Sequence, residues 1–183
     1  MPRRRTELLA SLASGFTGEH ATVVDLCCGT GALGAVLIAA HPGIDLHAAD
    51  IDPAAVRCAR RNLDGHVYEG DLYKALPVRL RGIVDVLVVN APYVPTGAIE
   101  TMPPEARVHE ARVALDGGHD GLDVHRRVAA AAATWLAPGG HLLIETSERQ
   151  APVAVGLFER GGLVARVETD DELGATVVIG EKP

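Results

Sequence analysis

Aromatic side chains are scarce in this chain: Phe, Trp and Tyr make up 3% of its 183 residues. That leaves few flat platforms for base stacking and argues against single-stranded nucleic acid as a ligand. Positive charge is also short, with 17 Lys and Arg against 24 Asp and Glu, a formal net charge of −7. A broad nucleic-acid footprint needs the opposite balance. The basic run Arg3-Arg4-Arg5 reads as a solvated leader to a first helix. Cysteine is limited to Cys27, Cys28 and Cys58, an odd number with two adjacent, which argues against a disulfide framework. No apolar stretch is long and charge-free enough to span a bilayer. Glu7 breaks any signal-peptide pattern, so a cytoplasmic location is the default expectation. The eight histidines are scattered, none spaced along the chain from another His or Cys as metal ligands are, so no metal is expected. His41, His47 and His66 fall near strand or loop edges and are expected to be solvated.

What the chain does have is alternation. Hydrophobic residues at 48% suit one domain with a sizeable core, taken to be residues 1–183. A helix is expected over 6–16, then a buried strand over 21–28 running into Gly29-Thr30-Gly31. Further strands are expected at 45–49, 67–69, 84–89 and 141–146, with helices at about 32–40, 54–62, 122–136 and 151–160. Asp52-Pro53 is a helix start, Asp as N-cap and Pro at the first helical position. Two last strands, 163–168 and 175–180, are too close for a helix between them and predict an antiparallel hairpin. The whole reads as a doubly wound α/β domain with a mostly parallel sheet. The long connection 91–121 has the length of a functional loop, with 94–118 a candidate lid; Arg107, His109, Glu110 and Arg112 give it charges of both signs and no catalytic role.

Gly29-Thr30-Gly31-Ala32-Leu33-Gly34 is a G-x-G-x-x-G loop after a strand and opening a helix. Asp50 ends the next strand, 21 positions beyond Gly29, where a carboxylate can accept from ribose hydroxyls. This pattern predicts a nucleoside-containing cofactor. Asp25, beside the loop, would repel a pyrophosphate and suits a cationic amino-acid tail, as S-adenosylmethionine has. Its competing reading is a strand-end residue bonded to nearby backbone. Asp71, in Glu69-Gly70-Asp71-Leu72, can accept from an adenine amino group or cap the helical segment that follows, and Leu72 can pack on an adenine ring.

The most informative segment is Asn90-Ala91-Pro92-Tyr93, directly after the apolar run 84–89. Open α/β sheets place their ligands at such strand ends. The Asn side chain has one acceptor and two donors, Pro92 fixes local backbone direction, and Tyr93 adds a flat apolar wall. Together they suit a planar NH2 group.

With Pro2-Arg3-Arg4-Arg5-Thr6-Glu7, Asp25-Leu26-Cys27-Cys28-Gly29-Thr30-Gly31, Gly70-Asp71-Leu72, Asn90-Ala91-Pro92-Tyr93, Ala114-Leu115-Asp116-Gly117-Gly118 and Pro138-Gly139-Gly140, the chain from Pro2 to Gly180 resembles the protein glutamine N5-methyltransferase family. Its best-known members methylate the Gly-Gly-Gln glutamine of peptide chain release factors. The resemblance implies a class I, Rossmann-like methyltransferase fold with a seven-stranded sheet, and S-adenosylmethionine as donor. It implies cofactor contacts at Cys27, Cys28, Gly29, Thr30, Gly31, Asp50, Ile51, Leu72 and Asn90, and substrate amide contacts from Asn90 through Tyr93; Thr6 and Glu7, part of the family motif, either support the cofactor pocket or serve as helix cap and surface charge. Catalysis is expected of Asn90, Pro92 and Tyr93, and a release-factor-like protein is the expected substrate. Two features depart from the family, Ala91 in place of the usual first Pro of Asn-Pro-Pro-Tyr and Cys27 in place of a Gly, and the family's helical N-terminal substrate-recognition domain is expected to be absent. Two other functions stay open at this point. One is an adenine N6-methyltransferase of nucleic acid, since adenine also presents a planar NH2. The other is a catalytically silent methyltransferase-like binding subunit.

Overall fold

A computed structural model describes residues 5–101 and 115–183. Seven strands form one sheet: β1 (Thr22–Leu26), β2 (Asp45–Asp50), β3 (His66–Glu69), β4 (Val84–Val89), β5 (Leu136–Thr146), β6 (Val164–Asp170) and β7 (Ala175–Glu181). Their spatial order is β3-β2-β1-β4-β5-β7-β6. The first five run parallel, and β7 lies antiparallel to both β5 and β6. Among the described residues the α-helices are α1 (Thr6–Phe16), α2 (Ala32–Ala40), α3 (Pro53–Asn62), α4 (Asp123–Trp135) and α5 (Ala151–Arg160).

Local chemistry accounts for most of this. The Val84–Val89 run is buried along nearly its whole length, as a central parallel strand covered on both faces must be. Asp52 caps α3, its Oδ1 accepting from the Ala54 N–H at 2.8 Å, with Pro53 next. Two apolar layers fill the faces of the sheet. Leu87, Val89, Leu142 and Ile144 pack one side with Val128, Ala132 and Phe158 of α4 and α5. Val86, Val88 and Leu143 pack the other with Leu9 and Leu37 of α1 and α2.

One expectation changes. The fifth strand begins at Leu136, not 141, because Leu136 already pairs with Val84; the chain then bulges through Ala137-Pro138-Gly139-Gly140, with Gly139 at φ 76°, and shifts the register between Val84 and Val86 of its neighbour. The final strands form the expected antiparallel hairpin, and it is β7 that pairs with β5. β7 is buried over six residues while β6 forms the half-exposed edge, consistent with the apolar Ala175–Ile179 run taking the inner place.

The sheet order reverses between β1 and β4. That crevice, at the carboxyl ends of the strands, is where this architecture leaves room for a ligand.

Candidate active site

A cavity of about 630 Å³ opens at this reversal. Its walls come from the segments following β1, β2, β3 and β4 and from Glu145 near the end of β5. Among the residues singled out from sequence, Asp25, Cys27, Cys28, Gly29, Thr30, Asp50, Ile51, Asp71, Leu72, Asn90, Ala91, Pro92 and Tyr93 all line it. Gly31 does not: it is buried behind the loop with φ 81°, and a Cβ there would come within 2.8 Å of Leu63 Cδ1. Its glycine serves the turn into α2 and the packing on α3. Glu7 is exposed and absent from the wall, whereas Thr6 is buried and part of it. Residues 1–4 and 102–114, with Arg3, Arg4, Arg107, His109, Glu110, Arg112 and part of the expected lid, lie outside the described residues.

At the cofactor end, Asp50 organises the loop. Its Oδ2 accepts from the Gly29 N–H at 2.8 Å and its Oδ1 from the Asp52 N–H at 2.9 Å. Each oxygen has accepting capacity left. Asp25 is 1% exposed, and neither of its carboxylate oxygens has a hydrogen-bond partner. Burial pushes its carboxyl up to about 7, with the Asp50 charge adding to the rise and the Gly34 backbone opposing it. The backbone-bonded alternative for Asp25 is therefore not realised as a full hydrogen bond. Burial likewise pushes the Cys27 thiol up to about 12, so it stands in the wall as a neutral, unreactive group.

Asp71 does not fill its expected capping role. It makes no side-chain cap to the 3-10 turn Leu72–Ala75. Both its oxygens accept from Arg127 Nη2, at 2.7 and 2.6 Å, and Lys74 Nζ lies 3.5 Å away. Arg127 holds its carboxyl below the usual range. The short α4 register that puts Arg127 over the end of β3 has no signature in the sequence around Asp71.

The acceptor end is a network of side chains. Asn90 Nδ2 donates to Thr6 Oγ1 at 3.1 Å. Thr6 Oγ1 donates to Glu145 Oε2 at 3.1 Å, and the Tyr93 hydroxyl donates to Glu145 Oε1 at 3.2 Å. Glu145 is 1% exposed. Sequence reasoning missed it: a lone Glu ending a strand of apolar residues was the available signal, since such a residue inside a sheet needs buried partners. The turn is braced from behind. Val94 N–H donates to Leu115 O at 3.2 Å and Gly117 N–H to Val94 O at 2.8 Å, and Gln150 Nε2 donates to Tyr93 O at 2.9 Å. Gly121 has φ 80°, and any Cβ there would overlap the Tyr93 carbonyl oxygen, so a side chain at 121 would push the turn out of place.

The histidine expectation fails for His47. It is fully buried, with Nδ1 3.0 Å from the Tyr68 hydroxyl, and its ring stacks on His66 at 4.7 Å. Asp45 bridges the two imidazoles, 3.1 Å from His47 Nε2 and 3.9 Å from His66 Nε2. The scattered sequence positions 47 and 66 meet because they are register partners across parallel strands. The group lies at the start of β2, away from the cavity wall.

Residues 6–121 match the family model of the methyltransferase small domain. The release factor glutamine methyltransferase of Geobacter sulfurreducens is 34% identical over 98% of this chain and 64% of its own length. A 4-amino-L-phenylalanine/4-methylamino-L-phenylalanine methyltransferase of Streptomyces pristinaespiralis is 40% identical over 76% of this chain and 48% of its own. The chain thus spans less than two thirds of the length of these curated relatives. The solved protein-(glutamine-N5) methyltransferase of Alicyclobacillus acidocaldarius shares the fold, with a TM-score of 0.61 at 23% identity over 100% of this chain and 94% of that one.

Proposed function

The chain belongs to the methyltransferase small domain family, and on that premise we propose that it is an S-adenosylmethionine-dependent N-methyltransferase acting on the side-chain amide of a protein glutamine. One observation carries the reading. A single cavity has an unpartnered buried carboxylate and a Gly-rich loop at one end, and the Asn90-Ala91-Pro92-Tyr93 turn at the other.

The residues present fit S-adenosylmethionine. Asp25, buried without a partner, suits the cationic tail, and the spare lone pairs of Asp50 suit ribose hydroxyls. Ile51, 53% exposed, and Leu72 supply apolar faces for adenine. An adenine amino group would share Asp71 with Arg127. Bound there, the cofactor supplies an electrophilic methyl on a sulfonium. The protein's own task is then alignment, because an amide nitrogen is a weak nucleophile whose lone pair is delocalised into the carbonyl. Asn90 Oδ1 accepts one amide N–H, and a backbone carbonyl at Ala91 or Pro92 accepts the other. These bonds draw the hydrogens aside and help the nitrogen pyramidalise, while Tyr93 packs the acceptor. The extra proton leaves after transfer, so no strong base is required.

A release-factor-like protein is the favoured substrate, supported by the named activity of the Geobacter relative. A cytoplasmic location belongs to the same reading and suits the free thiols Cys27, Cys28 and Cys58. No helix among the described residues is long and apolar enough to cross a membrane. The Streptomyces relative, named for an aromatic amine, favours a second reading: a small-molecule arylamine, whose NH2 is also conjugated. Incubation with labelled donor and three acceptors (a Gly-Gly-Gln peptide or release factor, an arylamino acid, and DNA) separates them. One added methyl on glutamine by mass spectrometry is the expected result; label on the arylamine or on DNA alone would replace it.

A further inference from the structure

We infer that Glu145 is a positioning residue that sets which end of the Asn90 amide faces the acceptor, acting through Thr6. This rests on the proposed glutamine reading for its consequence in catalysis, though not for its geometry.

An Asn side chain can sit in two orientations related by a half-turn, which exchange its oxygen and its NH2 with little change in shape. Only one of them offers an acceptor to a substrate N–H. The neighbour that touches Asn90 is the Thr6 hydroxyl, at 3.1 Å. A hydroxyl is ambivalent: it could accept from the Asn NH2 or donate to the Asn oxygen. Left alone with Asn90, Thr6 would not choose. Glu145 removes the choice. A carboxylate accepts only, so the Thr6 proton is committed to Glu145 Oε2 at 3.1 Å. Thr6 then has only lone pairs left, Asn90 must turn its NH2 toward them, and Oδ1 is left for the acceptor. The second carboxylate oxygen does the same for the adjacent wall, taking the Tyr93 hydroxyl proton at 3.2 Å. A polarity imposed by one buried acceptor group is thereby passed through a hydroxyl to an amide, joining residues 6, 90, 93 and 145.

This explains why a carboxylate occupies a site 1% exposed, where any apolar residue of similar size would be cheaper to bury. It also explains why Thr6 lines the cavity although it opens α1, far from the glycine loop in sequence.

The test uses two nearly isosteric changes and one conservative rescue. Glu145→Gln keeps the shape but adds a donor, so Thr6 regains its ambivalence. Thr6→Val keeps the shape and deletes the hydroxyl. Thr6→Ser keeps the hydroxyl. Glu145→Gln and Thr6→Val should each lower kcat by about 10- to 100-fold, with the cofactor Kd by calorimetry within about twofold of the wild type. Thr6→Ser should keep most of the rate. The readout independent of activity is NMR: the side-chain NH2 pair of Asn90, identified by its loss in Asn90→Asp, should be well separated and slow to exchange in the wild type and in Thr6→Ser. It should collapse toward solvent values in Thr6→Val and Glu145→Gln. Equal behaviour of Thr6→Ser and Thr6→Val, or an Asn90 signal unaltered in Glu145→Gln, overturns the inference. Should Glu145→Gln not fold, the two Thr6 variants decide it. If the wild type methylates no glutamine, the proposed function falls and the NMR arm still judges the relay.

Discussion

The two ends of the cavity are built by different means. At the cofactor end, the Asp71–Arg127 pair apart, polar groups are settled largely by backbone: Gly29 and Asp52 N–H on Asp50, Cys28 N–H on Ala49 O, Gly31 N–H on Cys28 O. The longest of these links spans 21 residues. At the acceptor end, side chains hold one another across sequence separations of 84, 139 and 52 residues. A backbone cradle tolerates changes of side chain and suits a ligand common to many enzymes. A side-chain network fixes donors and acceptors one by one, and suits a site that must distinguish one NH2 from another.

The comparison predicts that the largest single loss falls at the acceptor end and spares the other. Asn90→Ala should lower turnover by about 10²- to 10³-fold, the scale of deleting one hydrogen-bonding group aimed at the reacting atoms, while cofactor affinity by calorimetry changes far less. Near-normal turnover would end the assignment of Asn90 to the acceptor. A matching loss of cofactor affinity would erase the division between the two ends.

Asp50→Ala tests the opposite end. It should weaken cofactor binding by about 1–3 kcal/mol, with kcat at saturating cofactor affected less. Because Asp50 also accepts from Gly29 and Asp52, the variant should loosen the loop too, seen as faster amide exchange at those two residues. Unchanged affinity would refute the ribose assignment.

The same division governs what could be read from the chain. The glycine loop, Asp50 and the Asn90 turn were legible because each is a short motif at a strand end, and strand ends follow from apolar runs such as 84–89. The capping of α3 was legible for the same local reason. Glu145 was not, because its partners Thr6 and Tyr93 reach it only through tertiary packing. Nor was the pairing of Asp71 with Arg127, 56 residues apart, or the burial of His47, which depends on strand register. Side chains committed to distant partners carry no periodicity of their own, and a one-residue change of register would dissolve each of these contacts.

The smallest expected effect concerns Asp25, where the cofactor end depends on a charge rather than on backbone. Its carboxyl is raised to about 7 by burial, so the folded protein binds this proton more tightly than the unfolded chain does. Folding stability from this group is therefore full below its ordinary range near 4 and is lost as pH rises toward about 7. A cationic ligand reverses the preference, since it favours the ionised form. Affinity for S-adenosylmethionine should accordingly rise by up to about tenfold between pH 6 and pH 8 as Asp25 ionises. In Asp25→Asn that rise should vanish, and the stability of the ligand-free protein should no longer fall between pH 4 and 7. Calorimetric titrations at several pH values, paired with denaturant melts, read both quantities. Parallel pH profiles for wild type and variant would place the cationic tail elsewhere in the cavity and leave Asp25 a buried strand-end residue.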